Sequence, residues 1–382
     1  MIAIHGSYYN NNFGDLLLIK LVENWVKSKV NSTIVYPMVD KQEQKEFKEH
    51  FPNSFIGIKQ RETWQALVCT GGGYLGEPNW SHGKKLGGKW NKQFFRRHVL
   101  PAEICIWSNT PYAIVGVEAG PLSNIFVRHE VKRILSHASV LSVRNIESKK
   151  FIQNTLGIDS EVIVAPDAAL TISKEDIPTT ALKYIDSLLA PYKGMISLGI
   201  HYPSRFLCDT PQAELLRQGL FSTLASTPDV LPVVFSDCGS SNVPSDTEKL
   251  AKLIQNSTEK ECLSLPFKGI WETAALISKL SAILTTKLHV GIVAYALGVH
   301  CESFATHQKT PRFYKQIGRA SQCIMLDDIS DKNIVIEKIE RALQAARNQV
   351  SPINCQEYEQ VKQNSLIHKQ LVLNFLNSTI QN

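Results

Sequence analysis

The chain has 382 residues, 43% of them hydrophobic and 20% charged, which supplies a sizeable core and excludes global disorder. Forty-one Lys and Arg against 35 Asp and Glu give a net charge of +6, too mild for a nucleic-acid tail; it suits phosphorylated substrates or an anionic surface without choosing between them. Eight scattered cysteines form no C-x-x-C pair and no zinc-like spacing, which excludes a disulfide scaffold and points to reduced thiols. No apolar run approaches the ~20 residues needed to cross a bilayer. The opening residues Ile2 to His5 already read as a strand, so no secretory signal is expected.

At about 150 residues per domain, the length allows two domains or three. In chain order, strand-like runs fall at 2–5, 32–36, 66–70, 112–116, 139–143 and 161–164, with helical periodicity at 16–29, 41–49, 127–136 and 146–156. Strands alternating with helices predict a largely parallel sheet. Residues 76–95, rich in Gly, Trp and basic side chains, break the pattern and read as a long loop. A second alternation has strands at 195–200, 230–235, 282–284, 299–303 and 323–325, and helices at 212–224, 245–254, 270–279, 288–297 and 333–345. Residues 173–192, with Pro178 and Pro191, read as the bridge, and 356–376 has helical spacing. The domains are therefore placed at 1–172 and 173–350, with a C-terminal helix in 351–382 packing across them. The fold class is α/β: two Rossmann-like doubly wound domains facing a cleft.

Open parallel sheets bind ligands outside the carboxyl ends of their strands, beside helix N-termini, so chemistry is sought where a strand hands over to a helix. The first handover, Gly6 to Asp15, is neither a dinucleotide fingerprint nor a P-loop. Asp15 reads as an N-cap or as a base. Gly71-Gly72-Gly73 lets backbone approach a ligand, or is a turn. Glu118 ends a strand as an acid, a base or a solvated carboxylate. Arg144 ends another, offering a fork to a carboxylate or phosphate, or a salt bridge to a neighbouring loop. Asp167 follows where the first domain ends. In the second domain, Thr285 or Thr286 can cap an apolar helix whose first turn holds Lys287 and His289. Cations at a positive helix end are unfavourable for stability, so an anionic ligand explains them better. Lys309 and Arg312 start a basic helix that could clamp phosphate, and His201 and Arg205 follow the strand that opens the second domain.

Taken in order, Asn12-Phe13-Gly14-Asp15, the glycine triplet, Gly116 to Pro121, Val143-Arg144 with Ser148, Pro166-Asp167-Ala168, Ser281 to Gly298 with Lys287-Leu288-His289, and Lys309 to Gly318 resemble the polysaccharide pyruvyl transferase family. The resemblance implies a fold similar to B-type glycosyltransferases. It implies transfer of pyruvyl from phosphoenolpyruvate to two hydroxyls of a sugar, with ketal formation and phosphate release. It puts the saccharide acceptor, in some members lipid-linked, on the first domain and phosphoenolpyruvate on the second. His289, Asp15 and Glu118 would be catalytic. Arg144, Lys287, Lys309, Arg312, His201, Arg205, Asn12, Gly72 and Gly73 would bind substrates. Two residues depart from the family pattern: Lys287 and His201 both stand where arginine is common, and Lys287 loses the bidentate fork. No metal, cofactor or nucleic acid is expected. The location implied is cytoplasmic, at the inner face of the cell membrane, with a peripheral surface around Trp80, Trp90, Trp107, Lys84, Lys85, Lys89, Arg96 and Arg97. The alternatives are a nucleotide-sugar-dependent glycosyltransferase of the same fold and a non-catalytic sugar- or phosphate-binding protein.

Overall fold

The computed structural model describes all residues except 8–10, 53, 60, 78–87, 239–242, 355 and 381–382. The chain divides into two compact units, Met1–Ala168 with Gln363–Asn382, and Ala169–Lys362.

The first unit is built on a seven-stranded sheet. Its strands are β1 (Ile2–His5), β2 (Ile34–Tyr36), β3 (Phe55–Ile56), β4 (Ala66–Leu75), β5 (Tyr112–Ala119), β6 (Val140–Val143) and β7 (Ile163–Val164). They run parallel in the order β3-β2-β1-β4-β5-β6-β7. The central strands are apolar on both faces because helices cover both faces, as a doubly wound sheet requires; every residue of β1 is buried. Chain direction across the sheet reverses between β1 and β4, with His5 beside Cys69. In an open parallel sheet such a switch point is where a ligand is expected.

The second unit repeats the plan with β8 (Ile196–His201), β9 (Val230–Phe235), β10 (Leu263–Leu265), β11 (Ala282–Thr285), β12 (His300–Ala305) and β13 (Cys323–Met325). These parallel strands follow the order β10-β9-β8-β11-β12-β13. The switch point lies between β8 and β11, so the loops after His201 and Thr285 meet. Away from that edge, Glu302 is fully buried and is held by its strand neighbour His300 and by Lys338 and Arg341, the last two pinning the helix Lys332–Arg347 to β12.

The two-Rossmann expectation is met, with local corrections. Part of the stretch read as a long loop is helical: Gly88–Phe94 runs through a π-helical stretch, Phe95–Val99, into the helix Leu100–Ser108. Its apolar anchors, Phe94 and Val99, are too few among cations to show a period. The segment read as a bridge contains the helix Thr179–Leu189, which buries Ala181 and Ile185. Pro178 occupies its N-cap, where a missing N–H costs nothing. In the last helix, Gln356–Ile380, the Tyr358 hydroxyl donates to the Ala296 carbonyl of the second unit at 2.6 Å. Within the first unit, His368 from the same helix is fully buried; its Nδ1 lies 3.0 Å from the Ser142 hydroxyl and its Nε2 3.2 Å from the Ala165 carbonyl.

Candidate functional site

Each sheet gathers titratable groups at its carboxyl edge. In the first unit the helix Phe13–Lys29 is capped by Asn12, whose side-chain oxygen accepts from the Gly14 amide at 3.0 Å. Asp15 is therefore not the cap. It lies in the first helical turn, half-buried, where the helix dipole favours a carboxylate. Gly72, at φ +93°, comes so close that a Cβ there would lie 2.6 Å from Asp15 Oδ1. Only glycine satisfies both the backbone angle and the approach. Gly73, next along, is exposed.

Farther along the same edge, Arg144 follows β6 and donates through Nη1 to Asp167 at 2.8 Å and through Nη2 to Glu118. The side chains of Arg144 and Asp167 are each 4% exposed. Burial alone would lower the guanidinium pKa, but the two carboxylates outweigh it and raise it above its ordinary value. The cation expected to offer a fork to substrate thus has its fork filled, and the trio carries one net negative charge.

In the second unit, His201 ends β8 fully buried. Its Nδ1 lies 2.7 Å from the Thr285 hydroxyl and its Nε2 3.3 Å from Asp237 Oδ1. The same Oδ1 accepts from Lys287 Nζ at 2.7 Å, and Nζ sits 3.9 Å from the centroid of the Tyr202 ring. Burial pushes the His201 pKa down, only partly opposed by Asp237, so the imidazole is neutral. Burial would push the Asp237 carboxyl up, but Lys287 and His201 hold it well below the usual carboxylate range. Lys287 is raised: burial opposes its charge and Asp237 more than compensates.

Lys287 occupies the N-cap of the helix Leu288–Ala296, and no side chain caps that helix. A lysine cannot accept from the first-turn amides, so donors there are left for an acceptor from outside the helix. His289 lies half-buried in that first turn. Lys309 opens the helix Lys309–Gln316 half-buried, Arg312 on it is exposed, and Arg205 is half-buried in the short helix Ser204–Leu207. Beside Ser236, the residue before Asp237, lies a cavity of about 320 Å³ with Tyr184 and Phe267 in its wall and Lys268 stacked on Tyr184. Asp237 is the site residue that sequence reasoning missed. It stands two residues past the end of β9, a strand-end carboxylate of the kind that singled out Glu118.

Of the basic surface expected around the first domain, Trp80, Lys84 and Lys85 lie outside the described residues. Among those described, no helix is long and apolar enough to cross a membrane, and no cluster of three or more His, Cys, Asp or Glu is placed to hold a metal.

Two doubly wound parallel units with polar groups collected at their carboxyl edges define a protein of the two-domain, B-type glycosyltransferase-like class. The chain belongs to the polysaccharide pyruvyl transferase family, whose model matches residues 12–308. No curated protein matches it. Among solved structures it is similar to a UDP-GlcNAc 2-epimerase from Neisseria meningitidis bound to UDP-GlcNAc, with 11% identity, a TM-score of 0.64 and 98% of this chain and 99% of that one covered. A UDP-GlcNAc 2-epimerase from Methanocaldococcus jannaschii aligns at 13% identity and TM-score 0.62, covering 96% and 98%. A glycosyltransferase from Rickettsia africae aligns at 10% and 0.51, covering 100% and 95%. At such identities these likenesses establish the fold alone.

Proposed function

We propose that the protein moves the pyruvyl group of phosphoenolpyruvate onto two hydroxyls of a saccharide, in a cell-surface polysaccharide or its precursor, closing a cyclic ketal and releasing phosphate. The observation that carries this reading, given the family, is the uncapped first turn of Leu288–Ala296 with Lys287 at its start and His289 inside it. Such a turn suits a small anion.

Magnitudes decide how the anion is held. A phosphate oxygen 4 Å from an isolated ammonium gains about 4 kcal/mol at an effective dielectric of ~20. Asp237, 2.7 Å from Lys287 Nζ, cancels most of that at longer range. The donor is therefore held chiefly by the amides of the first turn, with Lys287 directing it and Lys309 and Arg312 adding charge from the next helix. Asp237 and neutral His201 position Lys287 rather than touch the donor.

In the reaction, His289 gives a proton to the methylene carbon of phosphoenolpyruvate. One sugar hydroxyl adds to the adjacent carbon and loses its proton to Asp15. The bond to the phosphate oxygen then breaks, leaving an oxocarbenium-like carbon that the second hydroxyl captures. Its proton leaves with phosphate, and the proton held by Asp15 returns through solvent to His289, so over the cycle the two hydroxyl protons end on the new methyl group and the released phosphate. Asp15 is preferred to Glu118 as base because it stands in the first turn of Phe13–Lys29 beside Gly72, where the missing side chain lets a substrate approach. His289→Ala is expected to abolish phosphate release from phosphoenolpyruvate with acceptor present while leaving the thermal transition unchanged; pyruvylated product at near wild-type rate removes His289 from the mechanism.

A second reading, a nucleotide-sugar glycosyltransferase, is favoured by one observation, the aromatic-walled cavity beside Ser236, which would take a base. Thermal stabilisation by UDP but not by phosphoenolpyruvate would select it.

A further inference from the structure

The loop that leaves β8 carries a strained residue, and its ring faces Lys287. Tyr202 directly follows His201 and takes φ +63°, in the left-handed region. Glycine enters that region freely; a bulky side chain does so at a cost, and only where its surroundings hold it there. Here they do. The Tyr202 amide donates to the Phe235 carbonyl at 3.2 Å, the Tyr202 carbonyl accepts from the Arg205 amide at 3.2 Å, and Pro203 follows, narrowing the backbone choices further. The bend ties the end of β8 to the end of β9 and leaves the side chain half-buried, with Lys287 Nζ 3.9 Å from the ring centroid. A glycine would make the same turn with less strain, so the turn does not explain the tyrosine. Its ring does.

The ammonium that the ring meets needs aiming. A lysine carries a point charge on a flexible stem and lacks the planar fork that orients an arginine. Of its three N–H donors, one reaches Asp237 Oδ1 at 2.7 Å. The ring takes up a second side of Nζ and attracts the cation to its face. The Lys287 side chain is still 25% exposed, so one direction stays open. We propose that Tyr202 is a positioning residue: its ring and Asp237 hold the Lys287 ammonium from two sides and leave its remaining N–H for the anion received by the first turn of Leu288–Ala296. This rests on the reading above, which makes that anion phosphoenolpyruvate.

The test compares Tyr202→Phe, which keeps the ring, with Tyr202→Leu, which keeps the bulk, and Tyr202→Gly, which releases the backbone. Phosphoenolpyruvate and inorganic phosphate are titrated calorimetrically into each full chain, and thermal scans record stability. Tyr202→Phe is expected to bind as the wild type does, and both ring-less variants about fivefold more weakly. Their affinities should agree while their melting temperatures differ, because glycine relieves strain that leucine retains. That separates a role at Lys287 from a role in the fold. In a Lys287→Met background, Tyr202→Leu should cost no further affinity. Ring-less variants that bind both anions like the wild type, a Tyr202→Phe variant as weak as Tyr202→Leu, or a loss that persists in full without Lys287 overturns the proposal. Ring-dependent binding of phosphate by a chain that does not bind phosphoenolpyruvate supports the role of Tyr202 and overturns the donor reading. A wild type that binds neither anion overturns both.

Discussion

Asp237 holds the second unit's site together, and Asp237→Asn measures how strongly. The substitution keeps the shape and removes the charge that Lys287 Nζ meets at 2.7 Å and His201 Nε2 at 3.3 Å. At an effective dielectric of ~20 the Lys287 contact alone amounts to about 6 kcal/mol of Coulomb attraction before desolvation is subtracted. Removing one partner of a buried pair costs about 3–5 kcal/mol. The Lys287 side chain is 25% exposed, so water recovers part of this, and about 3 kcal/mol is expected. For a body of about 150–250 residues that corresponds to a fall in Tm of about 6–12 °C. The double variant Asp237→Asn, Lys287→Met leaves no unpaired charge and is expected to recover most of the loss. The sign against pH is set by both partners. Asp237 is held below its ordinary value, so its contribution is present above about pH 4 and is lost as pH falls further. Lys287 is raised, so its contribution is complete below about pH 10 and is lost as pH rises past its folded value. The gap between wild type and Asp237→Asn is therefore flat from about pH 7 to 9 in a series of thermal scans, since below that His201, whose pKa Asp237 raises, also enters. A single variant within about 0.5 kcal/mol of wild type, or a double variant no better than the single, refutes the reasoning.

Three further outcomes are expected. His5, His201 and His368 are fully buried, and burial lowers the pKa of each, His5 to about 3, so below the ordinary value the unfolded chain takes protons that the folded chain refuses. Stability then drops as pH falls below about 6.5, by up to roughly 1.4 kcal/mol per pH unit for each imidazole; urea midpoints that do not move between pH 7 and 5 contradict this. Gly72→Ala places a methyl group 2.6 Å from Asp15 Oδ1 at φ +93°. It should cost about 1–3 kcal/mol and lower kcat with little change in KM for phosphoenolpyruvate; wild-type Tm and rate would show that the approach is slack. Asp15→Asn should reduce turnover by about 100-fold or more and Glu118→Gln by much less, since only Asp15 is assigned as base; the reverse order in a phosphate-release assay reassigns the role.

Rules applied one strand at a time located much of this. The handover rule reached His201, Glu118, Arg144 and Lys287 because each stands at or within two residues of a strand end. It did not pair them. Lys287 meets Asp237 across 50 residues and Arg144 meets Asp167 across 23, and such pairings are set by strand order, which alternation alone leaves open. β9 reaches β11 only through β8 between them. The helix Gly88–Phe94 was hidden for a different reason. Its exposed positions are polar or glycine and Phe94 is its only buried residue, so no apolar period marks it. The helix Thr179–Leu189 was masked by prolines that sit at and beyond its ends, where they delimit a helix instead of breaking it.

The pairing changes what the cations can be for. A cation buried at a sheet edge without a carboxylate would cost several kcal/mol whenever the ligand is away. Both units avoid that cost in the same manner, Arg144 with two carboxylates and Lys287 with one. Neither then acts as a long-range attractor, and each is fixed in direction by its partner. Attraction is left to exposed cations, Arg312 in the second unit and Lys92 and Arg96 in the first, where water screens it. On this division of labour, added salt should weaken KM by acting on the outer cations. The chemical step, governed by buried pairs and by backbone amides at the start of Leu288–Ala296, should leave kcat nearly unchanged over the same range. A kcat that falls in step with KM would place the screened charges in the transition state and undo the separation.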